Sequence, residues 1–286
     1  MKTYRFRYPI GLMARIMEVS CSGYYAWLKA IPSQRAIRHR GLKPLIEKVH
    51  IQSRKTYGSR RITAELQEQG YEVGRDQVSR LRKEMGLFCV QKKKLKATTN
   101  SDHDLPVAPN LLDQDFSTQG AGEVWGADIT YISTDEGWLY LASIKDFHTK
   151  EVVGQAMGPR MTKGLVLDAL EKALKYRRPL PGCIMHTDRG SQYCSADYLE
   201  MVRAAGMRPS MSRRGNCYDN APTESLWSTL KMELVYQRKF ATRMEAEAAI
   251  KEYIEIFYNR IRRHSTIGNV APAVFAQKYF IERRAA

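Results

Sequence analysis

This chain has no Cys-x-x-Cys pair, no apolar run of 18 residues and no leader-like start. Each absence excludes something. The cysteines, Cys21, Cys89, Cys183, Cys194 and Cys217, are odd in number and scattered. That argues against a disulfide framework and for reduced thiols in a cytosolic protein. His39 and His50 have no cysteine pair after them, which argues against a zinc-finger module. Without a long apolar run no membrane-spanning helix is expected. Residues 1–10 are basic and aromatic rather than leader-like. There is also no internal repeat and no low-complexity tract. The expected location is cytoplasmic, with no membrane partner.

Acid is the other scarcity, and it is local. Residues 1–100 hold 22 Lys/Arg against 7 Asp/Glu, whereas the remaining residues hold 24 against 23. Nearly all of the net charge of +16 therefore lies in the first third. A basic segment joined to a near-neutral one suggests a polyanion-binding module attached to something else. A merely soluble cationic surface is the plainer explanation.

The first third reads as helical. Residues 10–29 form two short helices broken at Val19-Ser20-Cys21-Ser22, the second carrying Tyr24, Tyr25, Trp27 and Leu28. A helix over 33–53 is interrupted or restarted at Pro44. Helices to about Gln69 and from Arg75 to Met85, separated by a turn after Gly70, make a helix-turn-helix at about 57–86. The second offers Arg75, Gln77 and Arg80 to DNA, with Arg60 and Arg61 at the start of the first. Arg and Gln can read purine edges in the major groove. A basic helix pair with a solvated face has the same pattern. Residues 91–122, with Lys92-Lys93-Lys94, two prolines and two glycines, read as a basic linker.

From residue 123 the pattern alternates. Strands are expected at 124–132, 138–146 and 151–157, then a helix at 162–177 and a strand ending at Asp188. A helix at 195–205, a strand at 207–211, a cationic loop at 212–219 and a helix from Asn220 to about Tyr236 follow. A helix at 243–259 leads into an Arg-rich tail. The expected fold is α/β, a mixed sheet with helices on both faces, after an all-α helix-turn-helix region. The expected divisions are 1–90 (DNA-binding), 91–122 (linker), 123–240 (catalytic core) and 241–286 (a C-terminal helical extension).

Three carboxylates stand out in this core. Asp128 lies inside an apolar strand, Asp188 ends another, and Glu224 sits in the first turn of a helix. Alone, each has an ordinary structural explanation as a turn, cap or dipole residue. Together they point elsewhere, because strands one and four can lie side by side and bring both aspartates to one edge. Three gathered carboxylates repel one another, and Mg²⁺ is the usual resolution. Two such ions roughly 3.5–4 Å apart clamp the attacking and leaving oxygens of a phosphoryl transfer. Glu224, Trp227, Ser228 and Lys231 share one helix face, which places Lys231 to meet a DNA phosphate. Arg213 and Arg214, in the loop before that helix, suit a phosphate backbone, and Asp219 or Asn220 is expected to cap the helix. Asp146 reads as structural.

These residues resemble a known family, the DDE transposases of bacterial insertion sequences, specifically the orfB product of the insertion-sequence-3 family. The motifs are Trp125-Gly126-Ala127-Asp128-Ile129-Thr130-Tyr131-Ile132, His186-Thr187-Asp188-Arg189-Gly190-Ser191-Gln192-Tyr193 and Ser210-Met211-Ser212-Arg213-Arg214-Gly215-Asn216. They continue with Tyr218-Asp219-Asn220-Ala221, Glu224 and Lys231. Thirty-five residues separate Asp188 from Glu224, the spacing of that family and of retroviral integrases. Tyr57-Gly58-Ser59-Arg60-Arg61-Ile62 is similar to its helix-turn-helix, and Tyr258-Asn259, His264-Ser265 and Pro272 to its C-terminal signature. The resemblance implies an RNase H-like core and two Mg²⁺ ions, with Mn²⁺ able to substitute, held by Asp128, Asp188 and Glu224. It implies that a homo-oligomer on double-stranded DNA cuts one strand at an element end, that the released 3′-hydroxyl attacks beside the other end, and that a circular intermediate is then inserted into target DNA. The family's active enzyme is a frameshift fusion with an upstream orfA product. No heptad run precedes residue 10, so the chain is expected to correspond to the orfB portion. Two other functions fit the same residues, a nuclease of this fold without strand transfer and a non-catalytic DNA-binding regulator.

Overall fold

The computed structural model describes residues 1–90, 107–213 and 217–285. Five helices come first: α1 (Ile10–Ile16), α2 (Cys21–Lys29), α3 (Gln34–Gln52), α4 (Ser59–Glu68) and α5 (Arg75–Glu84). Leu42, Ile46 and Val49 of α3 are buried with Tyr57, Ile62, Leu66, Val73, Val78 and Leu81 in one cluster. Their spacing marks single apolar stripes on α3, α4 and α5. That burial also explains why α3 runs unbroken through Pro44, where an interruption is expected. The lost backbone bond is outweighed by apolar surface on either side of the proline. Gly70 and Gly86, both at positive φ, end α4 and α5 in the left-handed turn that glycine favours.

The sheet holds β1 (Val124–Thr134), β2 (Gly137–Asp146), β3 (Val152–Gly158), β4 (Ile184–Thr187) and β5 (Arg208–Met211) in the order β3-β2-β1-β4-β5. β1, β2 and β3 are antiparallel neighbours, and β4 and β5 run parallel to β1. The crossovers contain α6 (Lys163–Tyr176) and α7 (Ala196–Ala204). Side chains alternate across a strand, so β1 sends Trp125 and Ala127 into the core under α6 and α7. Ile132, with Leu139 and Leu141 of β2, goes to the opposite core, beneath α8 (Ala221–Glu233) and α9 (Arg243–Glu252). Asp128 has the parity of that second face.

After α9 the chain widens into a π-helix, Tyr253–Ile261, and ends in α10 (Pro272–Ala285). The Asn259 amide donates to the Val152 carbonyl and accepts from the Val152 N–H, each at 3.0 Å. It thereby completes the edge of β3 as another strand would.

One expectation changes. Residues 91–106 lie outside the described residues, but 107–122 are no tether. Leu112 is buried with Val124 and Phe147. The Leu111 N–H donates to Ser210 Oγ at 2.9 Å, and the Gly122 N–H to Asp146 Oδ2 at 2.7 Å. The segment's prolines and glycines serve close packing, which local composition does not distinguish from flexibility. The C-terminal helical residues pack onto the sheet, where Ile250, Tyr253 and Phe257 complete the core of its second face with Phe240. Among the described residues, no helix is long and apolar enough to cross a membrane.

Candidate active site

β1 and β4 are direct parallel neighbours, Gly126 opposite His186, which brings Asp128 and Asp188 to one end of the sheet. Both are half-buried. Burial, followed by repulsion from Asp188, raises the Asp128 carboxyl to about 7. Bonds from the Trp227 indole and the Ile129 N–H oppose that rise, and Glu224 adds a smaller repulsion. The Ile129 N–H lies 2.8 Å from Asp128 Oδ1, and Trp227 Nε1 lies 2.8 Å from Oδ2. Asp188 Oδ1 accepts from the Gly190 N–H at 2.9 Å, the tight turn after the strand.

Helix α8 carries the third carboxylate, and contacts at both of its ends seat it. At the first turn, Thr223 meets the sheet over Gly126, where a Cβ would fall 2.6 Å from Thr223 Oγ1 and 2.3 Å from the Phe147 ring. Only glycine allows that approach, two residues from Asp128. Lys145, buried in β2, donates from Nζ to the Pro222 carbonyl at 3.0 Å. Burial, reinforced by Lys150 and Arg262, pulls this lysine down to about 7. At the last turn, buried Glu233 accepts from Arg262 at 2.8–3.1 Å and from the Tyr253 hydroxyl at 2.7 Å. Glu224 itself is exposed, with its carboxyl raised by partial burial. Among the described residues, no three His, Cys, Asp or Glu side chains are gathered closely enough to hold one ion. The aspartates converge, and Glu224 stands at their margin.

Lys231, two turns along, is half-buried with Nζ 4.9 Å from the centre of the Tyr131 ring. Burial lowers its pKa, while Asp128 pulls the other way. It therefore belongs to the carboxylate cluster rather than to a solvated face. Asp146 is structural. It accepts from Gly122, Trp125 Nε1, His148 and Thr149 within 3.1 Å.

The arginines divide. Arg60, Arg75 and Arg80 are exposed and Gln77 half-exposed, so the outer side of α5 and the start of α4 can meet DNA. Arg61 turns inward, over the Tyr57 ring at 5.7 Å, where burial and neighbouring Arg262 lower its pKa. Arg213 is engaged in structure. It donates from Nε and Nη2 to buried Asp219 at 3.0 and 2.9 Å and pairs with Asp113 at 3.1 Å. Arg214 lies outside the described residues. Neither Asp219 nor Asn220 caps α8. The N-cap Asn220 makes no side-chain cap bond, and the Asp219 carboxylate binds Asn110, Gln114 and Arg213 instead. Tyr57 lies four residues before Arg61 and Asp219 six after Arg213, but the direction each side chain takes is set by the folded surroundings and not by a helix or strand period.

Three residues were not singled out as site residues from sequence: Trp227 as a donor to Asp128, Lys145 beneath α8, and His186. His186 Nε2 lies 2.9 Å from the Asp219 carbonyl and Nδ1 2.9 Å from Ser210 Oγ. It ties β4 to β5 and to the turn before α8. A buried histidine or lysine in a strand was the available signal.

The integrase core domain family matches residues 118–217, a second integrase core family 205–272, and an HTH-like domain family 37–94. The chain is 55% identical over 267 residues to an insertion element IS600 uncharacterized 31 kDa protein of Shigella sonnei, covering 93% of this chain and 98% of that one. It is 39% identical over 278 residues to the transposase InsF for insertion sequence IS3A of Escherichia coli K12, 96% of each. A solved simian T-cell lymphotropic virus intasome, in complex with PP2A regulatory subunit B56 gamma, is 15% identical with a TM-score of 0.47. It covers 81% of this chain and 74% of that one.

Proposed function

The chain belongs to the insertion-sequence-3 (IS3) family of transposases, and from that premise we propose that Asp128, Asp188 and Glu224 are the carboxylates at which it cuts and joins DNA. The observation that carries this reading is the meeting of Asp128 with Asp188 across β1 and β4, tied through Trp227 to the Glu224 helix. A hard divalent cation suits the donors, since all are carboxylate oxygens. Burial, and after it repulsion from Asp188, lifts Asp128 to about 7, and a bound cation relieves both by favouring the ionised form. Two Mg²⁺ ions, or Mn²⁺ in their place, would be held by these three residues. When bound, they would activate the attacking oxygen and neutralise charge building at the phosphodiester.

The protein's own part is placement. Backbone N–H groups of Ile129 and Gly190 and the Trp227 indole fix the aspartates. Lys145 and the Thr223–Gly126 contact seat the first turn of α8, which carries Glu224. Lys231 takes the phosphate beside the reacting one. No side chain need become covalently attached, because water attacks first and the released 3′-hydroxyl second. Double-stranded DNA, as element end and as target, is the substrate, held through the exposed side of α5. Self-assembly on DNA, an upstream orfA partner and a place at the nucleoid belong to the same proposal.

The test is strand transfer in Mg²⁺ with labelled element-end DNA, comparing wild type with Glu224→Gln, each with and without the orfA partner. Joined products that vanish with Glu224→Gln support the proposal. Nicking without joining would replace it with a nuclease. Intact DNA binding with no chemistry in any form would leave a regulator.

A further inference from the structure

We propose that residues 10–29 form a second helix-turn-helix, distinct from the HTH-like region at 37–94, which lays α2 in a major groove of DNA. The turn has the required construction. At the end of α1 the Met17 N–H bonds to the Met13 carbonyl at 3.0 Å and the Val19 N–H to the Ala14 carbonyl at 3.0 Å. Glu18 then takes φ 53°, the left-handed conformation that lets a chain reverse between two helices. Ser20 begins the second helix, its Oγ accepting from the Gly23 N–H at 2.9 Å. A Cβ on residue 23 would lie 2.8 Å from that oxygen, so glycine keeps the cap open.

The packing agrees. Each helix buries one residue, Ala14 (3%) in α1 and Tyr24 (5%) in α2. One of these buried residues is small and the other large, a combination that suits a close crossing of two short helices. On α2, Ser22, Tyr25, Ala26 and Lys29 fall on one face at 100° per residue, opposite Tyr24 and Leu28. All four are exposed. Among the described residues, none from either helix joins the buried cluster of α3, α4 and α5, so that cluster does not use this face.

Charge selects the partner. Residues 1–31 carry Lys2, Arg5, Arg7, Arg15 and Lys29 against the single acid Glu18. Arg15 and Lys29, both exposed, sit in the last turns of the two helices. A polyanion fits that distribution, and a helix is the element a major groove admits. Ser22 and Tyr25, near the start of α2, are placed for base edges, Ala26 for a thymine methyl, and Lys29 for a phosphate.

The experiment uses the full chain and a 40-base-pair duplex (about four helical turns) of the element's terminal sequence, with a scrambled duplex as control. Anisotropy is followed from 50 to 200 mM salt for wild type and for Tyr25→Ala with Lys29→Ala. The expected result is about tenfold weaker binding, a smaller preference over the scrambled duplex, and a salt slope reduced by about one for the lost phosphate contact. Hydroxyl-radical protection should lose one segment and keep another. Arg75→Ala with Arg80→Ala should remove the segment that remained. Circular dichroism confirms that the α2 variant is folded. Unchanged affinity, slope and footprint would overturn the proposal. So would a variant whose only defect is loss of self-association in sedimentation, since the face would then join two copies of the chain. Cleavage chemistry does not enter, so failure of the carboxylate assignment leaves this result standing.

Discussion

The Trp227 indole N–H donates to Oδ2 of Asp128 across 2.8 Å, joining α8 to the central strand of the sheet. Trp227 is one turn beyond Glu224, so a single bond orients Asp128 and fixes the rotation of the helix that bears Glu224. Trp227→Phe keeps the ring and removes the donor. A bond to a charged group contributes about 1.5–3 kcal/mol. Strand transfer should fall 10- to 100-fold with little change in the affinity for DNA. Single-turnover rates and binding isotherms on the same preparation separate these effects, and an unchanged rate would remove Trp227 from the positioning scheme.

Asp128 makes the metal-free protein sensitive to pH. Its folded value of about 7 lies above the unfolded one, chiefly through burial and then Asp188. The folded state therefore holds the extra proton, and stability present below pH 4 is lost as pH rises toward 7. The difference is at most about 4 kcal/mol. Urea unfolding in chelator should show lower stability at pH 8 than at pH 5. Asp128→Asn should flatten that dependence and stabilise the protein at pH 8. Magnesium should restore stability to wild type at pH 8 and do little for the variant.

Arg213 tests structure against DNA contact. Its bonds to buried Asp219 hold that carboxyl well below the ordinary range. Arg213→Ala would leave Asp219, among the described residues, with Asn110 and Gln114 as side-chain donors, a loss of about 1–3 kcal/mol. Arg60→Ala, at an exposed position, should cost under about 0.5 kcal/mol. Thermal melting of the two variants decides. Equal melting temperatures would return Arg213 to the pool of free cations.

The helical region meets the C-terminal segment through Tyr57. Its hydroxyl donates to the Ile261 carbonyl at 3.0 Å and accepts from the Arg263 N–H at 2.8 Å. Arg263 pairs in turn with Glu65 at 2.6 Å and with Glu68. Tyr57→Phe removes both hydroxyl bonds and should loosen this contact by about 1–3 kcal/mol. Hydrogen exchange should speed up in α4 and around residues 261–263 while the amides of β1 and β2 keep their protection. Uniform protection across all of them would show that the contact carries no stability.

Much of the fold was legible because it is written in short periods. Apolar strand-like runs marked β1, β2 and β3 to within two residues, and apolar stripes marked α5 and α6. The aspartates stood out because a charge in an apolar strand needs compensation. Side-chain partners were not legible. Arg61 and Arg213 look like any cationic loop or helix residues until Tyr57 and Asp219 are placed beside them. Residues 107–122 look like a linker until Leu112 and Gly122 find the sheet.

The sequence by itself determined the succession of strands and helices, the basic first third, and the three carboxylates with their spacing. Only the tertiary structure decided that β4 lies beside β1, that Trp227 turns toward Asp128, and that Lys145 sits beneath the start of α8. The physical reason is one of range. Backbone periodicity and turn chemistry act over a few residues and can be read in order along the chain. The pairing of distant elements rests on many weak packing contacts summed over the whole core, and no local run of residues carries that sum.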